Sequence, residues 1–101
     1  MTYVSINQAA IRPESTAEFE RIGAEWLRSE RERLPREELL SRQLVRADDR
    51  PEYVVLSVWA SRAAHERNED SPAEREALRL IVGLLAGQPA QFTGEVLADV
   101  R

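Results

Sequence analysis

The segment Tyr53-Val54-Val55-Leu56-Ser57-Val58-Trp59, approached through Asp48-Asp49-Arg50-Pro51, constrains the fold more than any other part of the chain. Its β-branched and aromatic residues suit a pleated strand, and the acidic, Arg-Pro stretch before it is a turn. Such a strand needs a neighbour. Residues 38–47, where Leu40 and Leu44 interleave with Ser41, Gln43 and Val45, supply one as the first arm of a hairpin.

Two further strands are expected at the ends of the chain. Residues 2–11 alternate, with Val4 and Ile6 on one side and Tyr3, Ser5 and Asn7 on the other. Residues 91–100 alternate Phe92, Gly94, Val96, Ala98 and Val100 against Gln91, Thr93, Glu95, Leu97 and Asp99. Between the first strand and the hairpin, Phe19, Ile22, Gly23, Trp26 and Leu27 recur at helical spacing, as far as Leu34-Pro35. Ser15-Thr16-Ala17-Glu18 before them has the spacing of a capping box. After the hairpin, Ser61 is positioned to cap a short helix to about Asn68. Ser71-Pro72-Ala73-Glu74 then opens another helix, with Leu78, Ile81, Val82 and Leu85 as its apolar face and Gly87 as its stop.

The resulting order is β-α-β-β-α-β with its second helical region broken in two: an α+β, ferredoxin-like split βαβ unit with a four-stranded antiparallel sheet. A length of 101 residues is read as one domain, 1–101, with no room for a separate cofactor domain. Helices on one face of such a sheet leave the other face uncovered. A second copy stacked sheet to sheet would cover it, so a homodimeric barrel is expected.

Composition narrows the chemistry. Cysteine is absent and His65 is the lone histidine, which removes thiolate chemistry and multi-histidine metal sites; no cofactor is expected. The net charge of -4 favours neither nucleic acid nor an acidic membrane surface as partner. No apolar run reaches membrane-spanning length and the first residues are unlike a secretory signal, so the expected location is cytoplasmic. All 14 basic residues are Arg, a bias that speaks to the coding genome and not to mechanism.

If the aliphatic side Val4, Ile6, Val54, Leu56 and Val58 meets the helices, alternation sends Tyr3, Ser5, Asn7, Tyr53, Val55, Ser57 and Trp59 to the opposite face. Mixed aromatic and hydrogen-bonding residues there suit a cavity for a flat, partly polar molecule, with Tyr3, Ser5, Tyr53 and Ser57 as ligand contacts. They equally suit the polar fringe of a dimer interface.

Asn7 late in the first strand, the hairpin through Asp48-Asp49-Arg50-Pro51-Glu52-Tyr53, then Trp59-Ala60-Ser61 and Ser71-Pro72-Ala73-Glu74 together resemble the antibiotic-biosynthesis monooxygenase family. The resemblance runs nearly end to end. It implies a dimeric α/β barrel and a cofactor-independent monooxygenase that oxidises an electron-rich aromatic, such as a polyketide phenol, anthrone or hydroquinone, with molecular oxygen. Asn7 and Trp59 carry over as cavity residues, Asn7 to orient a substrate oxygen and Trp59 to stack on the ring. His65 stands where the family has an aromatic, and Glu74 where it often has histidine.

His65, the chain's one imidazole, is the candidate to accept or relay a proton; its plainer reading is a half-buried side chain packing in place of a phenylalanine. Glu74 is explained by helix capping. Trp26 reads as core, and the interleaved Glu25, Arg28, Glu30, Arg31, Glu32 and Arg33 as a solvated helix face. Two other functions remain open: a non-catalytic binding or pathway-accessory dimer, which the loss of histidine at Glu74 favours, and haem binding, which would require His65 to reach iron.

Overall fold

The computed structural model describes residues 1–69 and 71–100. Four strands, β1 (Tyr3–Ala10), β2 (Leu39–Arg46), β3 (Glu52–Trp59) and β4 (Ala90–Glu95), and three α-helices, α1 (Thr16–Arg33), α2 (Arg62–Asn68) and α3 (Pro72–Ile81), follow the expected order. The sheet runs β2-β3-β1-β4. Each neighbouring pair is antiparallel, with Ser5 opposite Ser57 and Thr93, and Arg42 also opposite Ser57. This is the α+β ferredoxin-like βαββαβ fold.

The helix boundaries follow from local chemistry. Ser61 Oγ accepts from the Ala64 amide at 3.0 Å, and Ser71 Oγ from the Glu74 amide at 3.2 Å, so two of the three expected caps form. Ser15 does not cap. Pro13–Ser15 form a 3-10 turn that leads directly into α1, and the Ser15 side chain makes no capping bond. The rigid φ of Pro13 starts the helical path two residues early, which takes Ser15 out of the extended conformation a cap requires. The last strand is also shorter than expected, ending at Glu95; beyond it the Val96 amide donates to the Thr2 carbonyl, and Leu97 and Val100 lie exposed.

The sheet faces are reversed from the expectation. Tyr53 stacks on Phe19 of α1 with ring centroids 4.6 Å apart, and Trp59 and Tyr3 pack against His65 of α2. Tyr3, Ser5, Tyr53, Ser57 and Trp59 therefore face the helices and are buried. Strand alternation turns Val4, Ile6, Val54, Leu56 and Val58 to the open side, where Val45 and Phe92 join them at 46% and 64% exposure. The rule that the most aliphatic face meets the helices fails because both faces of this sheet are built for burial. The polar-aromatic side suits a helix layer that encloses a cavity, while the aliphatic side remains uncovered within one chain.

The core consists of two clusters. Tyr3, Leu34, Leu39, Trp59 and Ala64 form one at the α2 end; Ile11, Phe19 and Tyr53 form the other, with Ala9, Leu44, Ile81, Leu84 and Leu85 packed around them. Between the helix layer and the sheet, space remains between these clusters.

Candidate functional site

A cavity of about 550 Å³ occupies that space, within the range of small-molecule sites. The sheet contributes Ser5, Asn7, Leu44, Tyr53, Val55 and Gln91 to its wall, α1 contributes Phe19, Ile22, Gly23 and Trp26, and the second helical region contributes His65, Glu74, Leu78 and Ile81. Gly23 allows α1 to sit this close to the sheet, since a Cβ there would lie 2.8 Å from Leu44 Cδ2. The roof is loosely held: α3 buries none of its residues, and its far end is fastened by Arg12 donating to Leu84 and Ala86 donating to Ala10 through the backbone.

The residues singled out from sequence divide into wall and support. Asn7, Ser5, Tyr53 and His65 line one cavity. Asn7 is an exposed residue of that wall, so its amide groups are open to solvent and to whatever enters the cavity. His65 is buried, its ring 5.4 Å from Tyr3 and 5.5 Å from Trp59.

Tyr53 presents only its ring: its hydroxyl donates to Glu20 at 2.6 Å on the far side of α1. Burial, reinforced by that bond, pushes the Tyr53 phenol up to about 12, and the same bond draws the Glu20 carboxyl below its usual range. Trp59, Tyr3 and Ser57 stand behind the wall. The Trp59 indole donates to Ser5 Oγ at 3.2 Å, so Trp59 supports two wall residues, Ser5 and His65, and is itself packed in the core. Ser57 is fully buried and accepts from Arg42.

Arg42 was not anticipated. Its side chain is 6% exposed; Nε donates to Ser57 Oγ at 2.8 Å, and Nη1 lies 3.5 Å from Glu30 Oε1. Nη2 lies 3.9 Å from Glu74 Oε1. The guanidinium also covers Trp26 at 4.7 Å and Trp59 at 5.4 Å from the ring centres. Burial pulls it below its ordinary value while Glu30 and Glu74 oppose the shift, and arginine's high starting point keeps it cationic.

Glu30 is correspondingly buried, held by Arg33 at 2.7 Å as well. This overturns the reading of residues 25–33 as a uniformly solvated face. The signal was present in the stripe Phe19, Gly23, Trp26, Glu30, whose spacing continues the apolar face, and in the placement of Arg42 two residues before inward-facing Leu44. Trp26 lines the cavity, and its indole N–H is buried without an acceptor. Among the described residues, no group of three or more His, Asp or Glu side chains is arranged to hold a metal, and no helix is long and apolar enough to cross a membrane.

The sequence model of the antibiotic biosynthesis monooxygenases matches residues 2–80. The chain belongs to that family. Solved structures show the same fold at low identity. A Caulobacter crescentus protein is 20% identical with a TM-score of 0.86, covering 96% of this chain and 91% of its own. A Mycobacterium tuberculosis protein is 18% identical with a TM-score of 0.83 over 100% of both chains. SnoaB of Streptomyces nogalater, a cofactor-independent oxygenase, is 19% identical with a TM-score of 0.81, covering 98% of this chain and 96% of its own. No curated protein matches the sequence significantly. Family membership carries the dimeric α/β-barrel fold; the cavity's own residues determine what can be bound.

Proposed function

We propose that this chain is a cofactor-independent monooxygenase acting on an electron-rich aromatic such as a polyketide phenol, anthrone or hydroquinone, with molecular oxygen as co-substrate. The observation that carries this reading is an aromatic-walled cavity of about 550 Å³, lined by Phe19, Trp26 and Tyr53, whose polar lining includes Asn7 and the buried His65. The fold shared with SnoaB supports it.

The aromatic lies against Trp26 and the Tyr53 ring, with one oxygen on Asn7 and another group toward His65. In the anthrone case His65 takes the proton, the carbanion gives one electron to O2, and the resulting radical pair joins at carbon as a peroxide. Loss of water leaves a carbonyl, so the balance is CH2 plus O2 to C=O plus H2O. The protein's part is to bind, orient and favour the anion. Trp59 acts by holding His65 and Ser5, not by stacking on the substrate. A homodimer joined through the Val4, Ile6, Val54, Leu56 and Val58 face would form the working unit, with the last residues reaching the partner.

Oxygen uptake with an anthrone or a hydroquinone tests the reading. Asn7→Ala should lower turnover at least tenfold while changing the melting temperature little, because its hydrogen bonds serve the ligand and not the fold. The second reading, a binding or accessory dimer without turnover, draws on the core position of Trp59. It is the better one if aromatic ligands bind and no oxygen is consumed.

A further inference from the structure

We infer that Gln91 is a second ligand-binding amide, acting with Asn7 to hold the oxygen-bearing edge of an aromatic whose hydrocarbon part lies toward β2. This deepens the aromatic-substrate reading and rests on it. One row of the sheet carries the inference. Strand register sets Leu44 opposite Val55, Val55 opposite Asn7, and Asn7 opposite Gln91, so one side chain from each strand forms a line across all four. All four residues line the cavity. Gln91 gives no signal of its own in the sequence; only the β1–β4 register puts it beside Asn7.

Directly opposite residues of an antiparallel pair share a face, with Cβ atoms about 5 Å apart. With strands spaced by about 4.8 Å, the row is about 14 Å long, enough to underlie a bicyclic or tricyclic aromatic. Its chemistry divides at the middle. Leu44 and Val55, half-buried at the β2 end, offer only hydrocarbon, whereas Asn7 and Gln91, exposed at the β4 end, offer two neighbouring carboxamides.

A ligand hydroxyl over Leu44 and Val55 gives up water and gains no partner from the row. Over Asn7 and Gln91 it can donate to a carbonyl oxygen and accept from an NH2 group, and each amide carries both functions. The row therefore sorts ligands by where their oxygens lie and not by how many they have. An aromatic with two oxygens on one edge fits, and an isomer with oxygens at opposite ends strands one of them over hydrocarbon. The other polar lining residues, Ser5, Gln8, His65, Glu69, Glu74 and Arg75, lie off this row, so a change confined to Gln91 isolates its part.

The probes are 2,3-dihydroxynaphthalene and 2,6-dihydroxynaphthalene, which share size and composition, with binding measured by calorimetry under nitrogen to prevent oxidation. Wild type should prefer the 2,3 isomer at least tenfold. Gln91→Met keeps the length of the side chain and removes its hydrogen bonds. It should reduce the preference about fivefold, the value of one net hydrogen bond, through weaker binding of the 2,3 isomer alone. Adding Asn7→Ala should bring the preference close to one. Because Gln91 is exposed on an edge strand, the melting temperature of Gln91→Met should stay near that of wild type.

If wild type binds both isomers equally, the orientation along the row is wrong and the assignment is overturned while the cavity reading stands. A preference that survives Gln91→Met also overturns it, because the polar end of the row then marks only the water's edge. Equal weakening of both isomers in Gln91→Met assigns the residue a structural role and refutes the contact. If neither isomer binds wild type, this inference and the aromatic-substrate reading fall together.

Discussion

Glu30→Gln is the sharpest probe of the buried charge cluster. Glu30 is 2% exposed at its side chain, and it faces both Arg33 at 2.7 Å and Arg42 at 3.5 Å. The substitution keeps shape and one acceptor oxygen but removes the charge. Breaking a buried pair by removing one partner costs about 3–5 kcal/mol when the remaining charge is stranded. Here the stranding is partial: Arg33 is 38% exposed and can turn to water, while Arg42 keeps Glu74 and two ring faces. A cost of about 2–3 kcal/mol follows, equivalent to a fall in melting temperature of roughly 10–20 °C for a domain of this size. Urea and thermal unfolding followed by tryptophan fluorescence, at fixed protomer concentration, measure it. Replacing both Glu30 and Arg42 by Met should recover most of the loss, because the apolar pair leaves no charge to solvate. A Glu30→Gln cost below about 0.5 kcal/mol, typical of an exposed pair, would refute the claim that this cluster is buried and coupled.

Three further predictions concern pH and assembly. Tyr53 is raised to about 12 in the folded chain from an ordinary 10.0, so its contribution to stability is complete below pH 10 and is lost as the pH rises toward 12. Tyr53→Phe should flatten that alkaline decline in unfolding experiments, and an unchanged decline would assign it elsewhere. Glu20 and Glu38 are both lowered from 4.5, the first by the Tyr53 hydroxyl and the second by Asn68, so stability should fall as pH drops below 4.5 through their folded values. Glu20→Gln should reduce the acid sensitivity seen by circular dichroism. Leu56→Arg, placed on the uncovered aliphatic sheet face, should shift a dimer to monomer in sedimentation velocity without altering helix content; a persistent dimer would put the interface on another surface.

Much of the fold was legible because it is written in local periodicity. The Tyr53–Trp59 run, the Asp-Asp-Arg-Pro turn and the helical stripe from Phe19 each have one compatible backbone, and the first, second and third strands fall within a residue of their expected bounds. His65 was recognisable as a candidate because it is the chain's one imidazole, and Asn7 because of its place in the family resemblance. Glu30 and Arg42 were not: a Glu among Glu and Arg residues looks solvated, and only their separation by 12 positions along the chain and 3.5 Å in space makes them partners. The orientation of the sheet was equally hidden. Alternation states which residues share a side, but both sides here are fit for burial, and which one the helices take depends on how α1, through Gly23 and Trp26, meets the whole sheet. The sequence by itself determined the elements, their order and which side chains travel together, since those follow from interactions a few residues apart. Which face became the cavity wall, which charges were buried, and which tryptophan lines the site were decided only by tertiary packing, where residues far apart in the chain compete for the same space.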